Sequence, residues 1–290
     1  MDREFVIAHN IGFCPGVKRA IDMALSLAKK HGSVYTYGEL IHNNSVIADL
    51  ERHNIRAISS IDEAEPGSIV LIRAHGVPLS VYSECEKRGV RLSDATCPFV
   101  KKIHGIVAQN CKNRRIIIIG TKNHPETIGI AGNCDGAYIV QDESDICGIG
   151  EGEKLCIVSQ TTFMREKFLM LAGRIREKNP DATVFDTTCN TTRVGQEEAE
   201  CISRTCDTML VFGSYHSSNT KKLAEICRRN CANVYFAEHI GEDGQELHLA
   251  GRRIGVVGGA STPEKTITDA VAKLKNSAFL EQYAKKLIKK

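Results

Sequence analysis

The sequence repeats the same succession of helices and strands three times, with a period of about 90 residues. Each repeat begins at a cysteine, Cys14, Cys97 or Cys189, which is followed by apolar residues at helical spacing. A strand ending in glycine, a polar loop, a second helix and a short strand come next. A third strand then ends in a second polar tip before a last helix. Strands that alternate with helices predict parallel sheets, so this order indicates three α/β units.

The spacing of the polar tips supports the repeat. From each cysteine to the first tip the distance is 28, 27 and 29 residues, and from the first to the second tip it is 33, 37 and 43 residues. The first tips are His42, His124 and Ser218, and the second tips are His75, Thr161 and Ser261. Because the ends of parallel strands are where α/β proteins bind ligands, these side chains are expected to share a site.

The repeat also predicts the boundaries of the three units. We expect the first at 15–97, the second at 98–189 and the third at 190–290. The last repeat lacks its final strand, and the N-terminal strand within 1–14 is expected to supply it. Arranged around a pseudo-threefold axis, the three α/β units would surround a central cavity that holds the three cysteines and the six tips.

The composition limits the classes of function. The charged start of the chain is unlike a signal peptide, and no apolar run approaches the roughly 18 residues of a membrane span. We therefore expect a cytoplasmic protein with no membrane partner. A net charge of +3 is too small for a broad nucleic-acid surface, so no nucleic-acid partner is expected either.

The three repeat cysteines differ from the rest of the twelve in the chain. Thiolates favour iron–sulfur clusters, zinc or copper(I), and compact zinc sites usually contain a close CxxC pair, which this sequence lacks. Three equivalent cysteines predict one [4Fe–4S] cluster with three Cys ligands and one open iron. A three-thiolate zinc site and plain buried thiols remain alternatives.

The polar tips have the chemistry of an anion site. Histidines that hold a proton near neutral pH, together with hydroxyl and amide groups, suit a diphosphate. The expected ligands are His42, His75, His124, Thr161, Ser217, Ser218, Asn219 and Ser261. Glu126 lies two residues beyond His124 on a strand-end loop, where an acid can serve as a proton donor. Thr161 could orient either Glu126 or the substrate. Each of these residues also has a plain structural interpretation, as a half-buried histidine, a helix cap or a first-turn acid.

Short motifs along nearly the whole chain carry a family resemblance. They are GFCPGV at 12–17, IHN at 41–43, RAHGV at 73–77, DATCP at 94–98, HPE at 124–126, QTT at 160–162, DTTC at 186–189, SSNT at 217–220 and GGAST at 258–262. With these motifs in this order, the chain resembles the LytB/IspH family of 4-hydroxy-3-methylbut-2-enyl diphosphate reductases.

The resemblance implies a trefoil fold and a function. The cluster ligands fall on Cys14, Cys97 and Cys189, the proton-delivering acid on Glu126 and the assisting threonine on Thr161. The diphosphate ligands fall on the tip residues named above. The reaction removes an allylic hydroxyl reductively and gives isopentenyl and dimethylallyl diphosphate, the last step of the non-mevalonate pathway. An electron donor such as ferredoxin or flavodoxin is implied as a partner.

Departures and rival interpretations remain at this stage. The chain has Gly195 where the family tends to have an arginine, with Arg193 nearby, and His216 where asparagine is commoner. Thr191 or Thr192 is expected to cap the third cysteine-led helix. An iron–sulfur hydro-lyase, a non-catalytic iron–sulfur sensor or RNA-binding regulator, and a zinc hydrolase are the alternatives to a reductase.

Overall fold

Short parallel strands form the framework of the described part of the protein. The computed structural model describes residues 3–238 and 249–275. Within these residues the strands are β1 (Glu4–Ile7), β2 (Val34–Tyr37), β3 (Ile55–Ile58), β4 (Ile69–Ile72), β5 (Arg91–Asp94), β6 (Arg115–Ile119), β7 (Tyr138–Val140), β8 (Leu155–Ser159), β9 (Thr183–Val184), β10 (Thr208–Phe212), β11 (Val234–Ala237) and β12 (Arg253–Gly258).

The helices follow the strands in the alternation that the sequence predicts. They are α1 (Pro15–His31), α2 (Asn44–Arg52), α3 (Leu79–Arg88), α4 (Pro98–Asn110), α5 (Pro125–Ala131), α6 (Arg165–Lys178), α7 (Asn190–Ser203), α8 (Ser218–Asn230) and α9 (Glu264–Lys275), with short 3-10 helices at Ile61–Glu63 and Glu143–Gly148. The expected cap at Thr191 or Thr192 is wrong, because α7 begins at Asn190, directly after its cysteine, as α1 and α4 do.

The strands form three four-stranded sheets with one topology. Their orders are β3-β2-β4-β5, β7-β6-β8-β9 and β11-β10-β12-β1, and every pairing is parallel. In the third sheet β1 takes the outer position, with Glu4 opposite Arg253 and Ile7 opposite Val256. The prediction of an α/β protein with three parallel sheets is confirmed, and the N-terminus supplies the strand that the last repeat lacks.

Each sheet carries its own apolar layers, which explains why the central strands read as continuous apolar runs. The side chains of Ile116–Ile119 in β6 are buried, as are those of Ile69–Ile72 in β4. Strands covered by helices on both faces have no solvent side, so they lose the alternating pattern of a half-exposed strand. Burial of this kind is the main stabilising contribution and leaves the polar residues at the strand ends.

The chain divides into two compact units. One comprises the described residues of Met1–Cys14, His42–Asn44 and Asn190–Lys290, and the other comprises Pro15–Ile41 and Ser45–Cys189. We call them the terminal unit, which holds the sheet of β1, and the central unit, which holds the other two sheets. The predicted division into three units stays a prediction, and residues 1–2, 239–248 and 276–290 of it lie outside the described residues. None of the described helices is long and apolar enough to cross a membrane.

Candidate active site

Each sheet brings its cysteine beside its second polar tip. The backbone N–H of Cys14 donates to Ala260 O at 3.1 Å, next to Ser261, and that of Cys97 donates to Ala74 O at 3.0 Å, next to His75. The backbone N–H of Cys189 donates to Thr161 O itself at 2.8 Å. After β5 and β9 the parallel pairing therefore continues in register to the cysteine, whereas a loop intervenes between β1 and Cys14. In all three sheets the bond fixes the cysteine at the carboxyl edge.

Two aspartates hold the loops that lead to Cys97 and Cys189. Asp94 Oδ1 accepts the N–H of Thr96 at 2.8 Å, and Asp186 Oδ1 accepts the N–H of Thr188 at 3.2 Å. In each turn the aspartate side chain accepts the N–H group two residues further along the chain, in place of a backbone carbonyl. Both aspartates belong to sequence motifs that carry the family resemblance, DATC at 94–97 and DTTC at 186–189.

A glutamate from another element performs the same task at Cys14. The loop before this cysteine has no aspartate three residues upstream. Instead, the carboxylate of Glu198 on α7 accepts the N–H groups of His9 at 2.6 Å and Asn10 at 3.1 Å, both within the terminal unit. Sequence reasoning missed Glu198, because nothing local links it to a loop 189 residues away.

The three cysteines also share their position relative to helices. Cys97 is the N-cap of α4, and Cys14 and Cys189 directly precede α1 and α7. All three are half-buried and none of them forms a disulfide bond. Burial raises the pKa of the Cys97 thiol, the N–H groups of Phe99 and Val100 act against this, and the nearby Cys189 and Glu126 raise the pKa further.

This donor set fits an iron–sulfur cluster. Helix N-termini favour the thiolate form that a metal requires. The proximity of Cys97 and Cys189 disfavours two thiolates unless a cation lies between them, which a cluster provides. Among residues 3–238 and 249–275, no group of three or more His, Cys, Asp or Glu side chains could hold a metal ion. A cube spreads its ligands over separate iron atoms, so its cysteines need not converge on one point.

A buried carboxyl group lies in the central unit. Glu126, in the first turn of α5, is only 2% exposed. Its Oε1 accepts the backbone N–H of Thr161 at 2.5 Å, and its Oε2 accepts the Thr161 hydroxyl at 2.8 Å. Thr161 thus holds both oxygens of Glu126 while its own carbonyl holds Cys189. The structure brings these three predicted residues together.

His124 and His75 are neighbours in the same unit. Their ring centroids are 5.4 Å apart in an edge-to-face arrangement. His124 is also the N-cap of α5, with Nδ1 accepting the backbone N–H of Glu126 at 3.2 Å. This bond requires an unprotonated Nδ1, so we assign the hydrogen of the neutral ring to Nε2.

The terminal unit contains the other predicted diphosphate ligands. It contains His42, Ser217, Ser218, Asn219 and Ser261. Ser217 caps α8 by accepting the N–H of Thr220 at 3.3 Å, so the plain interpretation of this residue as a cap is correct in part.

Two of these residues have buried polar atoms that suit a ligand. Among the described residues, Asn219 Oδ1 and Ser261 Oγ find no hydrogen-bond partner although both atoms are buried. Such atoms cost about 1–3 kcal/mol each, which a bound anion would offset. Because an asparagine amide can be turned over, Asn219 can present either its oxygen or its N–H groups.

Parallel sheets with polar groups and cysteines at their carboxyl edges define a ligand-binding α/β protein. The comparisons with known proteins make the class specific. The family model described as LytB protein matches residues 5–275. The chain belongs to the LytB protein family, and members of this family use a [4Fe–4S] cluster.

Named relatives agree with this family. A 4-hydroxy-3-methylbut-2-enyl diphosphate reductase from Caldanaerobacter subterraneus subsp. tengcongensis is 40% identical over 94% of this chain and 97% of its own length. The solved structure of the E-1-hydroxy-2-methyl-but-2-enyl-4-diphosphate reductase from Plasmodium falciparum is similar with a TM-score of 0.91, at 28% identity, over 96% of this chain and 90% of that one.

A second solved structure is similar with a TM-score of 0.69, at 33% identity, over 94% of this chain and 99% of that one. It is described as (E)-4-hydroxy-3-methyl-but-2-enyl diphosphate reductase, the terminal enzyme of the non-mevalonate pathway.

The departures from the family pattern lie on the surface of their elements. A Cβ added at Gly195 in α7 would meet nothing within 4 Å. Arg193 is half-buried and its guanidinium contacts Glu197 and Asn190 of the same helix. His216 is exposed, with its backbone N–H bound to Ser214 Oγ.

Proposed function

We propose that this chain reductively removes the hydroxyl of 4-hydroxy-3-methylbut-2-enyl diphosphate and yields isopentenyl and dimethylallyl diphosphate. The observation that carries the proposal is the repeated bond from a cysteine N–H to a backbone carbonyl at the second polar tip of its sheet or one residue before it. The acceptors are Ala260 O, Ala74 O and Thr161 O. It supports the equivalence of Cys14, Cys97 and Cys189, which we assign as the ligands of one [4Fe–4S] cluster with one open iron.

The reaction exchanges a C–OH bond for a C–H bond and releases water, so it consumes two electrons and two protons. When bound, the cluster supplies the electrons, one at a time. Glu126 supplies a proton to the departing hydroxyl, and its burial makes Thr161 rather than bulk water its immediate partner. The hydroxyl of Thr161 can contact Glu126 and substrate in turn, which gives a short path for the proton.

The diphosphate is held by neutral and dipolar donors. His124 presents an Nε2–H while its Nδ1 serves the helix cap, and His75 lies against it. Ser217, Ser218 and Asn219 stand at the N-terminus of α8, where backbone N–H groups and the helix dipole favour an anion. We assign His42 and Ser261 to the same ligand. An electron carrier such as ferredoxin or flavodoxin, and a cytoplasmic location, complete the proposal.

The test is an anaerobic preparation analysed for iron, sulfide and absorption near 400 nm, before and after dithionite. About four irons per chain and a band that dithionite bleaches are expected. Cys97→Ser should lose the band. Cys147→Ser, which changes an exposed thiol whose Sγ contacts Ser144 O, should keep it. A colourless or zinc-loaded wild-type protein would remove the cluster from the proposal.

Turnover with the hydroxylated diphosphate then tests the reaction. Products must form only when reductant is present, and about two electrons must be consumed for each product molecule. Product formation without reductant would instead favour the hydro-lyase alternative. A protein with an intact cluster and no turnover would favour a sensor.

A further inference from the structure

Three large apolar side chains are exposed at the start of three helices in the central unit. Leu79 opens α3, Phe99 lies in the first turn of α4, and Ile128 lies in the first turn of α5, with exposed fractions of 55%, 53% and 46%. Single exposed apolar residues need no explanation, but a cluster of them beside a redox centre does. We call Leu79, Phe99 and Ile128 the apolar rim.

Contacts within the unit link Leu79 and Ile128 through α5. The backbone N–H of Leu79 donates to Gly132 O at 3.1 Å, and Gly132 in turn donates to Ile128 O at 2.9 Å. Ile128 and Gly132 are therefore on one face of the helix, and this face meets the turn before α3. Helix α4, which carries Phe99, also packs against α5.

The rim lies close to the assigned cluster ligands. Phe99 is two residues from Cys97, so their Cα atoms are within about 7 Å of each other. Ile128 is two residues from Glu126, and Leu79 is four residues from His75. A protein seated on these side chains would be next to Cys97.

Two exposed basic side chains lie beside the rim. Lys102 is exposed one turn after Phe99, and exposed Arg19 on α1 donates to Thr96 O at 3.4 Å, beside Cys97. The first turns of α1, α3 and α4 contain no acid, and Glu126 in the first turn of α5 is buried. Asp94 is neutralised by an ion pair with Lys101 at 2.7 Å.

We propose that the apolar rim, with Lys102 and Arg19, is the docking surface of an acidic one-electron carrier protein. The inference rests on the proposed function, because a reduction that consumes two electrons requires such a carrier. Encounters of this kind bury little surface and dissociate quickly, and opposite charges steer them. A small apolar centre with a basic margin has these properties.

The test compares two sources of electrons for the anaerobic holoenzyme. One is dithionite, which needs no docking surface, and the other is a reduced acidic [2Fe–2S] ferredoxin. Phe99→Ser and Lys102→Glu should each lower ferredoxin-driven kcat/KM about tenfold and leave the dithionite-driven rate unchanged. The matched controls are Leu169→Ser, an exposed leucine on α6 of the same unit, and Lys112→Glu, beyond the far end of α4. Both controls should behave as wild type.

A binding measurement provides a readout without turnover. Calorimetry with oxidised ferredoxin and no substrate should show salt-sensitive binding that Phe99→Ser and Lys102→Glu weaken by a similar factor. Equal losses with both electron sources, or wild-type binding in both variants, would overturn the docking surface. A change of oligomeric state in Phe99→Ser on sedimentation would assign the rim to a second copy of the chain and overturn it too. Absence of turnover with dithionite in wild type would count against the proposed function instead.

Discussion

At the scale of single residues, the pair of Glu126 and Thr161 is the most sharply defined part of the site. Both oxygens of the carboxyl group are engaged by one residue, through a backbone and a side-chain group. That arrangement fixes the position of the carboxyl group and leaves the hydroxyl of Thr161 as its link to a ligand. The two residues belong to one repeat, Glu126 to its first polar tip loop and Thr161 to its second.

Glu126→Gln should lower turnover about 100-fold or more, because the amide keeps the shape of the side chain but cannot supply the proton. The rate of product formation and the absorption spectrum check this, and the spectrum should not change. Glu166→Gln, on the exposed first turn of α6, is the control and should turn over normally. Normal turnover in Glu126→Gln would remove this residue from the mechanism.

Gly76, beside His75, has a conformation that only glycine adopts without strain. Its φ is +71°, and a Cβ there would lie 2.7 Å from Cε1 of His104, which packs beneath the turn. Gly89 at the end of α3 has the same φ but open space around it. Substituting Gly89 therefore tests backbone strain alone, whereas substituting Gly76 adds a steric conflict with His104.

Gly89→Ala should cost about 1–2 kcal/mol of unfolding free energy from the left-handed backbone alone. Gly76→Ala should cost more, since His104 must move, and it should raise KM for the diphosphate because His75 is displaced. Denaturant titration and steady-state kinetics check both variants. Equal stabilities, together with an unchanged KM, would mean that the His104 contact does not position His75.

At the scale of elements, the sequence was sufficient for most strands. The strands β2, β6 and β10 each end directly before a glycine, as predicted, because apolar runs and terminal glycines are local signals. The parallel direction of the pairing followed from the alternation of strands and helices. The start of α7 was mispredicted because threonine is a good cap in isolation, whereas the bond from Cys189 N–H to Thr161 O sets where this helix begins.

The candidate site was predicted less completely, for a physical reason. Residues on strand ends, such as Cys97 and Thr161, could be found because they recur at matched distances. Groups that hold the loops from elsewhere have no such signal. Glu198 was missed for this reason, and so was the role of His124 as a cap, which depends on the direction of its ring.

Glu198→Ala should loosen the loop that leads to Cys14, because the N–H groups of His9 and Asn10 lose their acceptor. We expect fewer irons per chain and faster loss of the cluster in air. Glu197→Ala, at the neighbouring position of α7, is the matched control. The interaction that the structure shows for the Glu197 carboxylate is its contact with Arg193 on the surface of this helix. Iron and sulfide analysis checks the prediction. Equal iron contents in the two variants would contradict it.

At the scale of the whole molecule, several carboxyl groups link stability to pH. Burial alone would raise the pKa of Asp94, but hydrogen bonds from Lys101 and Thr96 outweigh it and the net pKa is lowered. The pKa of Asp186 is lowered in the same way, against burial, by Thr188 and Arg165. Each group stabilises the folded state above the ordinary aspartate pKa of about 3.9, and this stabilisation is lost as the pH falls through the lowered pKa.

The free energy of unfolding should therefore decrease below about pH 4, and less steeply in Asp94→Asn and Asp186→Asn. In these variants the amide oxygen can still accept the threonine N–H, but no proton is taken up. Denaturant titrations from pH 6 down to pH 3 measure the slope. Asp22→Asn, which changes an exposed aspartate on α1, is the matched control. Slopes in the Asp94 and Asp186 variants as steep as in wild type would contradict the assignment.

The pairing of β1 with β12 also has a consequence for biosynthesis. Glu4 leaves the ribosome long before its partner Arg253, so β1 waits for the strands between them. The sheets of β2–β5 and β6–β9 can assemble before β12 has been synthesised, but the third cannot. Cys14, tied to Ala260, reaches its final place only at that moment. With Cys14 as a ligand, as proposed, the cluster could be completed only after β12 has been synthesised. A chain arrested before β12 would leave β1 unpaired.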